Sequence, residues 1–213
     1  KIVNCDLFKN LTLGIDPKLI TYDQLNKFFT KKNKIRFINI NLIDEIENTK
    51  INDNIPFFSL KKEIVGESSS SKINKISQYL KKVKSDYIFI SAPENVAWIL
   101  NIRGGDGPNS PLPNSRLIVS KKKEIFFISK FQNAKKIINE KIINKKELFK
   151  INEFKKIILQ LNGNGFVIDG KSCSVYYEDI IRSKFKIKKK EDPTYLLKAI
   201  KNKTEIKNMI NAH

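Results

Sequence analysis

One stretch of this 213-residue chain differs in kind from the Lys-, Ile- and Asn-rich sequence around it. NIRGGDGPNSPLPNSR, residues 101–116, gathers three glycines, three prolines, two arginines and an aspartate. A phosphate cradle does not fit its spacing. Gly104, Gly105 and Gly107 do not form G-x-G-x-x-G, and no G-K-[ST] follows. Phosphate loops also open a helix, whereas this one runs into a strand pattern. Two readings stand. The stretch is either a connector whose glycines permit positive φ and whose prolines stiffen it, or a functional loop, as connectors of about a dozen residues often are. In the second reading Arg103 and Asp106 are its polar tools, and Arg103 can grip a carboxylate through two parallel N–H donors.

Other chemistry is sparse. His213 is the only histidine, so neither a Ser–His or Cys–His pair nor a His-based metal site can be assembled from this chain. Asp44, Glu45 and Glu47 cluster as a solvated helix face would. Cys173 precedes a helix, where a thiol can be activated, but no base lies near it in sequence and it reads as structural. Cys5 and Cys173 together are too few for a disulfide framework. No complete catalytic set is present.

The composition narrows the class. Apolar residues make up 40% of the chain, including 14 Phe, which supports a globular core. No apolar run approaches the roughly 20 residues of a membrane span, the start has no signal-peptide pattern, and a reducing cytoplasm is expected. The net charge of +19 raises a nucleic-acid or acidic partner. Nearly all of it is Lys spread end to end, without the Arg and stacking aromatics of specific readers. A solvated surface is expected, with no specific nucleic acid. Met209 is the only methionine, and the chain reads as a piece of something longer.

The elements that must position the loop follow from periodicity. A helix over residues 22–32 starts at a Thr21/Gln24 capping box, and a strand covers 35–40. A helical turn falls at 42–47, and a break at 52–56. The run after Glu67 offers serine caps and then Ile73, Ile76, Tyr79, Leu80 and Val83 on one helical face, with lysines on the other. YIFIS (87–91) reads as a buried strand and PENVAWIL (93–100) as a short helix with proline in its first turn. After the loop come strands RLIVS and EIFFIS, a helix over 152–162, a strand at 166–169 and a helix over 174–184. Alternating strands and helices give an α/β fold with a mixed sheet. From Asp192–Pro193 onward an amphipathic helical pattern has no evident partner in the chain.

Five segments then carry a resemblance: GIDPKLIT, NLIDEIEN, VGESSSSKINKISQYL, PENVAWILNIRGGDGPNSP and DPTYLLKAIKNKTEIKNMINAH. In this order they resemble the cytosolic Xaa-Pro aminopeptidases, the aminopeptidase P branch of the creatinase/prolidase pita-bread metallopeptidases. The resemblance implies creatinase-like N-terminal domains, each a mixed sheet flanked by helices in three layers, ribonuclease H-like. It assigns residues 1–54 to the end of a first such domain, 55–191 to a second, and 192–213 to a linker and the first helix of a catalytic domain. It implies two divalent metal ions, manganese, held downstream of His213 and none held here. It also implies proline-containing peptides as substrates, a homodimer, and no membrane. By the same resemblance the loop faces the catalytic cleft, with Arg103 and Asp106 at the entrance and Trp98 and Asn101 packing beneath. The competing expectations are a basic non-enzymatic binding module and a pseudo-peptidase.

Overall fold

The computed structural model describes residues 10–29, 33–41, 46, 55–107 and 109–213. At the beginning of the described chain, β1 (Thr12–Ile15) and β2 (Lys34–Phe37) pair in parallel, connected through α1 (Tyr22–Phe28). The Thr21 hydroxyl accepts the Gln24 N–H at 3.1 Å and the Gln24 side chain accepts the Thr21 N–H at 2.9 Å. This is the expected capping box, which satisfies two otherwise orphaned donors. The helix is shorter than its pattern, because Phe29 already has extended backbone. The strand is likewise shorter than 35–40, and β1 was not anticipated from its four residues. The helical turn at 42–47, Ile46 apart, and residues 52–54 of the break at 52–56 lie outside the described residues.

The main body begins with β3 (Phe58–Ser59), α2 (Lys62–Val65), α3 (Ser69–Lys82), β4 (Tyr87–Ile90), α4 (Pro93–Leu100) and β5 (Ile102–Arg103). It continues with β6 (Arg116–Ser120), β7 (Ile125–Ile128), α5 (Phe131–Asn139), β8 (Leu148–Phe149) and α6 (Phe154–Gln160). Then follow β9 (Gly165–Ile168), α7 (Val175–Arg182) and β10 (Lys186–Lys189). Six strands form one mixed sheet in the order β10–β9–β4–β6–β7–β8. β10, β9 and β4 run parallel, β6 is antiparallel to both its neighbours, and β7 and β8 are parallel.

Helices on both faces explain why the central strands read as unbroken apolar runs. On one face Ile88 and Ile90 of β4 meet Ile76 and Leu80 of α3, Val96 and Ile99 of α4, and Ile137 of α5. On the other face Tyr87 and Phe89 meet Phe154 and Ile158 of α6 and Tyr177 and Ile181 of α7. Phe89 sits with ring centroids 5.1 Å from Phe154 and 5.2 Å from Tyr177. The edge strand β10 carries three lysines in KIKK, a charge pattern that discourages further strand pairing. The resulting three-layer α/β architecture is the one expected.

The α1 unit docks on α7. Val175 N–H donates to Ile20 O at 2.8 Å, Tyr176 N–H to Pro17 O at 3.0 Å, and the Tyr22 hydroxyl to Asp179 at 2.7 Å. The final segment corrects the expectation of an unpartnered helix. α8 (Thr194–Ala199) lies on α4, and α9 (Lys203–Ala212) lies on α2. There Asn202 donates to Val65 O at 2.8 Å and Asn208 to Ile64 O at 3.1 Å. The contact is largely polar, which apolar periodicity cannot reveal. Leu196, Ile200, Met209 and Ile210 remain exposed.

Asp86 ties together the amino ends of β4 and β9 and the β6–β7 turn. Its carboxylate accepts Lys121 Nζ at 2.5 Å, Asn164 N–H at 2.7 Å and Gly165 N–H at 3.0 Å. The Lys121 hydrogen bond, then the two backbone donors, lower its pKa to about 2. A lowered carboxyl pKa stabilises the fold above the ordinary value of 3.8, and the contribution disappears as pH falls through about 2. Asp86→Asn is therefore expected to cost about 1–2 kcal/mol at pH 7. In urea denaturation at stepped pH, its deficit against the wild-type chain should shrink below about pH 4; a pH-independent deficit would contradict this role.

Candidate functional site

In an open sheet with parallel strands, ligands favour the crevice at the carboxyl ends of neighbouring strands whose helices leave on opposite faces. β4 and β9 are such a pair, since α4 covers one face and α7 the other. Here the chain fills the crevice itself. Asp192, almost fully buried, accepts Asn95 Nδ2 at 2.7 Å and Thr194 N–H at 2.9 Å. Its own N–H donates to Asp169 at 2.9 Å, and Lys198 Nζ reaches Asn95 Oδ1 at 2.6 Å. Burial pushes the Asp192 carboxyl pKa up despite these donors. The Ser91 and Ser172 hydroxyls, 2.7 Å apart, complete the plug. The segment expected to start at Asp192–Pro193 thus opens on an anchor that closes the sheet's usual ligand crevice.

The 101–116 loop enters β6 at this same end of the sheet. Asn101 caps α4 in the left-handed conformation, φ 55° and ψ 38°, which asparagine tolerates better than most residues. β5 follows and pairs with β3, and the chain then folds back through Gly104 N–H to Pro111 O at 3.2 Å and a Gly107–Ser110 bridge. The expected positive φ at its glycines is not found, since the described glycines with positive φ are Gly66 and Gly163. The reason for Gly104 and Gly105 is close packing. A Cβ on Gly104 would stand 2.8 Å from both Phe57 Cδ1 and Pro113 Cα, and one on Gly105 would stand 2.7 Å from Ile55.

The structure gives the four residues singled out in the sequence different situations. Asp106 is internally satisfied: one oxygen accepts Asn114 N–H at 2.5 Å and the other Asn133 Nδ2 at 2.9 Å. It staples the loop to itself and to α5. Arg103 is half-buried, donates to Ile102 O at 2.8 Å, and has no ion-pair partner among the described residues. Burial lowers its pKa. Trp98 packs on the core formed by α3 and α4 with its indole N–H unpartnered. Asn101 is buried and donates to Glu67 O at 2.8 Å. Arg103 and Asp106 therefore share a loop without pairing, and Arg103 is the charge left to offer.

One residue was missed. Lys72 is 1% exposed, against the expectation that the lysines of this helix line its solvent face. Its ammonium donates to Trp98 O at 2.8 Å and Asn101 Oδ1 at 2.6 Å, and lies 3.9 Å from the Trp98 ring centroid. The signal was present in the spacing: Lys72, Ile76 and Leu80 fall four residues apart, on one stripe.

Of the remaining candidates, Cys173 and His213 lie among the described residues. Cys173 is fully buried and burial pushes its thiol pKa well up, which makes it inert. Cys5, Asp44, Glu45 and Glu47 lie outside the described residues. His213 is exposed at the end of α9. Among the described residues no group of three or more His, Cys, Asp or Glu side chains gathers to hold a metal. A surface cavity of about 840 Å³, lined by Lys18, Phe131, Ile151 and Tyr176 among others, contains no acid or nucleophile cluster.

The close approach of Gly104 yields a contrast within one loop. Gly104→Ala is expected to cost about 1–3 kcal/mol by overpacking. Gly107→Ala, where a Cβ would meet nothing nearer than 3.4 Å, should cost well under half as much by chemical denaturation. Equal effects would return the glycines to a general role in flexibility.

Residues 49–205 match the family model described as the creatinase/prolidase N-terminal domain. Xaa-Pro aminopeptidase 1 of Dictyostelium discoideum is 31% identical over 229 residues, covering 98% of this chain and 35% of that protein. The Drosophila melanogaster Xaa-Pro aminopeptidase ApepP is 26% identical over 220 residues, again covering 98% and 35%. The chain thus spans about a third of the length of these relatives. A crystal structure of X-prolyl aminopeptidase from Caenorhabditis elegans, described as a cytosolic enzyme with a di-nuclear active site, superimposes with a TM-score of 0.80 at 24% identity. That match covers 95% of this chain and 35% of the other.

Proposed function

The chain belongs to the creatinase/prolidase N-terminal domain family, and we propose that it is the non-catalytic N-terminal region of a cytosolic, metal-dependent Xaa-Pro aminopeptidase. Such an enzyme releases the first residue from peptides with proline second. The observation that carries this reading is the 31% identity to Dictyostelium Xaa-Pro aminopeptidase 1 across 98% of the chain. Two divalent ions, manganese in this reading, belong to the catalytic domain of the whole protein. The residues described here do not fit a metal centre, so no catalytic step is assigned to them.

This region shapes access to the active site and supports a homodimer. The plugged crevice between β4 and β9 argues against a small-molecule site of its own and leaves the loop as its chemical contribution. Arg103 is the group offered toward the entrance: a half-buried guanidinium without an ion-pair partner among the described residues favours a carboxylate brought by a substrate or a facing domain. Asp106 holds the loop's shape, and Trp98 and Asn101 support its root.

Two measurements test the reading. In the full-length protein, Arg103→Ala should lower kcat/KM on a Xaa-Pro peptide roughly tenfold or more, as loss of a charged hydrogen bond does, while Tm stays unchanged. Unaltered kinetics would remove Arg103 from the entrance. The 213-residue chain alone is expected to hydrolyse no Xaa-Pro peptide with manganese present; measurable metal-dependent turnover would overturn the division of labour.

A further inference from the structure

A lysine sealed inside a core is a costly choice where methionine would fill much the same volume. Lys72 nevertheless sits at the base of the 101–116 loop, and its contacts converge on the loop's first residue. The ammonium has three N–H donors, and the site presents three receivers: Trp98 O, Asn101 Oδ1 and the face of the Trp98 ring. Asn101 in turn accepts Leu60 N–H through its backbone carbonyl at 2.8 Å and donates its amide to Glu67 O. Two residues further on is Arg103.

From this geometry we infer that Lys72 is a proton-sensitive positioning residue for the Arg103 loop, acting through Asn101. The inference rests on the proposed role of Arg103 at the entrance. While Lys72 is charged and buried, the three receivers must stay in place, because a misplaced one would leave part of a buried charge unsolvated. The neutral amine makes no such demand. Its hydrogen bonds weaken and its attraction to the indole face is lost. The charged form therefore enforces the position of the loop root, and the neutral form only permits it.

The surroundings set where the change falls. Burial lowers the Lys72 pKa from 10.5 to about 8. Glu67 before α3 and Glu205 of α9 oppose the shift, while Arg103 of β5 and Lys75 of α3 reinforce it. Glu67 does not neutralise Lys72 by direct pairing, since its carboxylate contacts Lys75 at 2.7 Å and the Ser71 hydroxyl at 2.6 Å. The Glu205 carboxylate accepts the Asn202 N–H at 2.9 Å. Because the folded pKa lies below the unfolded one, the fold binds this proton less tightly than the unfolded chain does. Lys72's contribution to global stability thus increases as pH rises from about 8 to 10.5, over the range in which the loop root is released. The stability trend follows from the shifted pKa alone, whereas release of the loop root is a trend that a residue with only a packing role would not show.

Trp98 is the chain's only tryptophan, so its fluorescence reads this site directly. In the 213-residue chain, emission followed from about pH 5 to 9.5 should titrate with a midpoint near 8, and Lys72→Met should abolish the transition while the far-UV circular dichroism is retained. Asn101→Ala, which removes an acceptor of the ammonium, should move the midpoint down by about one to two units. A wild-type chain with no transition, a Lys72→Met chain that keeps it, or an unmoved midpoint in Asn101→Ala would each overturn the inference. In the full-length protein, KM for a Xaa-Pro peptide should rise above pH 8 and become insensitive to pH in Lys72→Met over the same interval. If Arg103→Ala leaves KM unaltered while the fluorescence titration behaves as expected, the entrance reading fails and the Lys72–Asn101 coupling survives. If Arg103→Ala raises KM but the titration is absent, the coupling fails and the entrance reading stands.

Discussion

Asn101 is the point on which the site depends, because one residue ends a helix, starts a strand and receives a buried charge. Its left-handed backbone turns the chain out of α4 and into β5. Its carbonyl accepts from Leu60, its amide reaches Glu67 O, and its side-chain oxygen receives Lys72. Five segments are thereby held in mutual register by groups that must all be satisfied, since an unpaired buried polar atom is costly. A network of this kind specifies one arrangement more sharply than apolar packing, which tolerates small slips at little cost.

The loop beyond it is built by exclusion of side-chain atoms as much as by bonds. Gly104 and Gly105 let the chain lie against Phe57, Pro113 and Ile55, and Asp106 pins the return leg to Asn114 and Asn133. Arg103 stays outside this closed set. The sheet reinforces the division, since its carboxyl-end crevice is occupied by Asp192, Asn95 and Asp169. The anchor also fixes where α8 leaves the body, with Leu197 against the core and Leu196 and Ile200 exposed.

Much of the fold was legible before any coordinates. β4, β6, β7 and β9 are short runs of Ile, Val, Phe and Leu whose burial on both faces leaves a nearly unbroken apolar pattern. α3 and α4 announced themselves by serine caps, by proline in a first turn and by stripes of period 3.6. β3, β5 and β8 were not legible, because two residues carry no periodicity, and β1 was not because its four residues, TLGI, are only partly buried and include a glycine. β10 was hidden by its lysines, and α5 by a sequence whose buried face, Asn133, Ala134 and Ile137, is only partly apolar.

Residue types and spacing by themselves determined the α/β class and set the 101–116 stretch apart from the rest of the chain. They did so because backbone periodicity and the inventory of ionisable groups are local properties. Tertiary structure decided the rest: that Gly104 and Gly105 answer to close approach, that Asp106 is a staple, that Arg103 lacks an ion-pair partner among the described residues, and that Lys72 is buried. Each of these depends on which atoms arrive from distant segments. A lysine's charge is written in the chain, but its cost and its use are set by the oxygens and the indole ring folded around it.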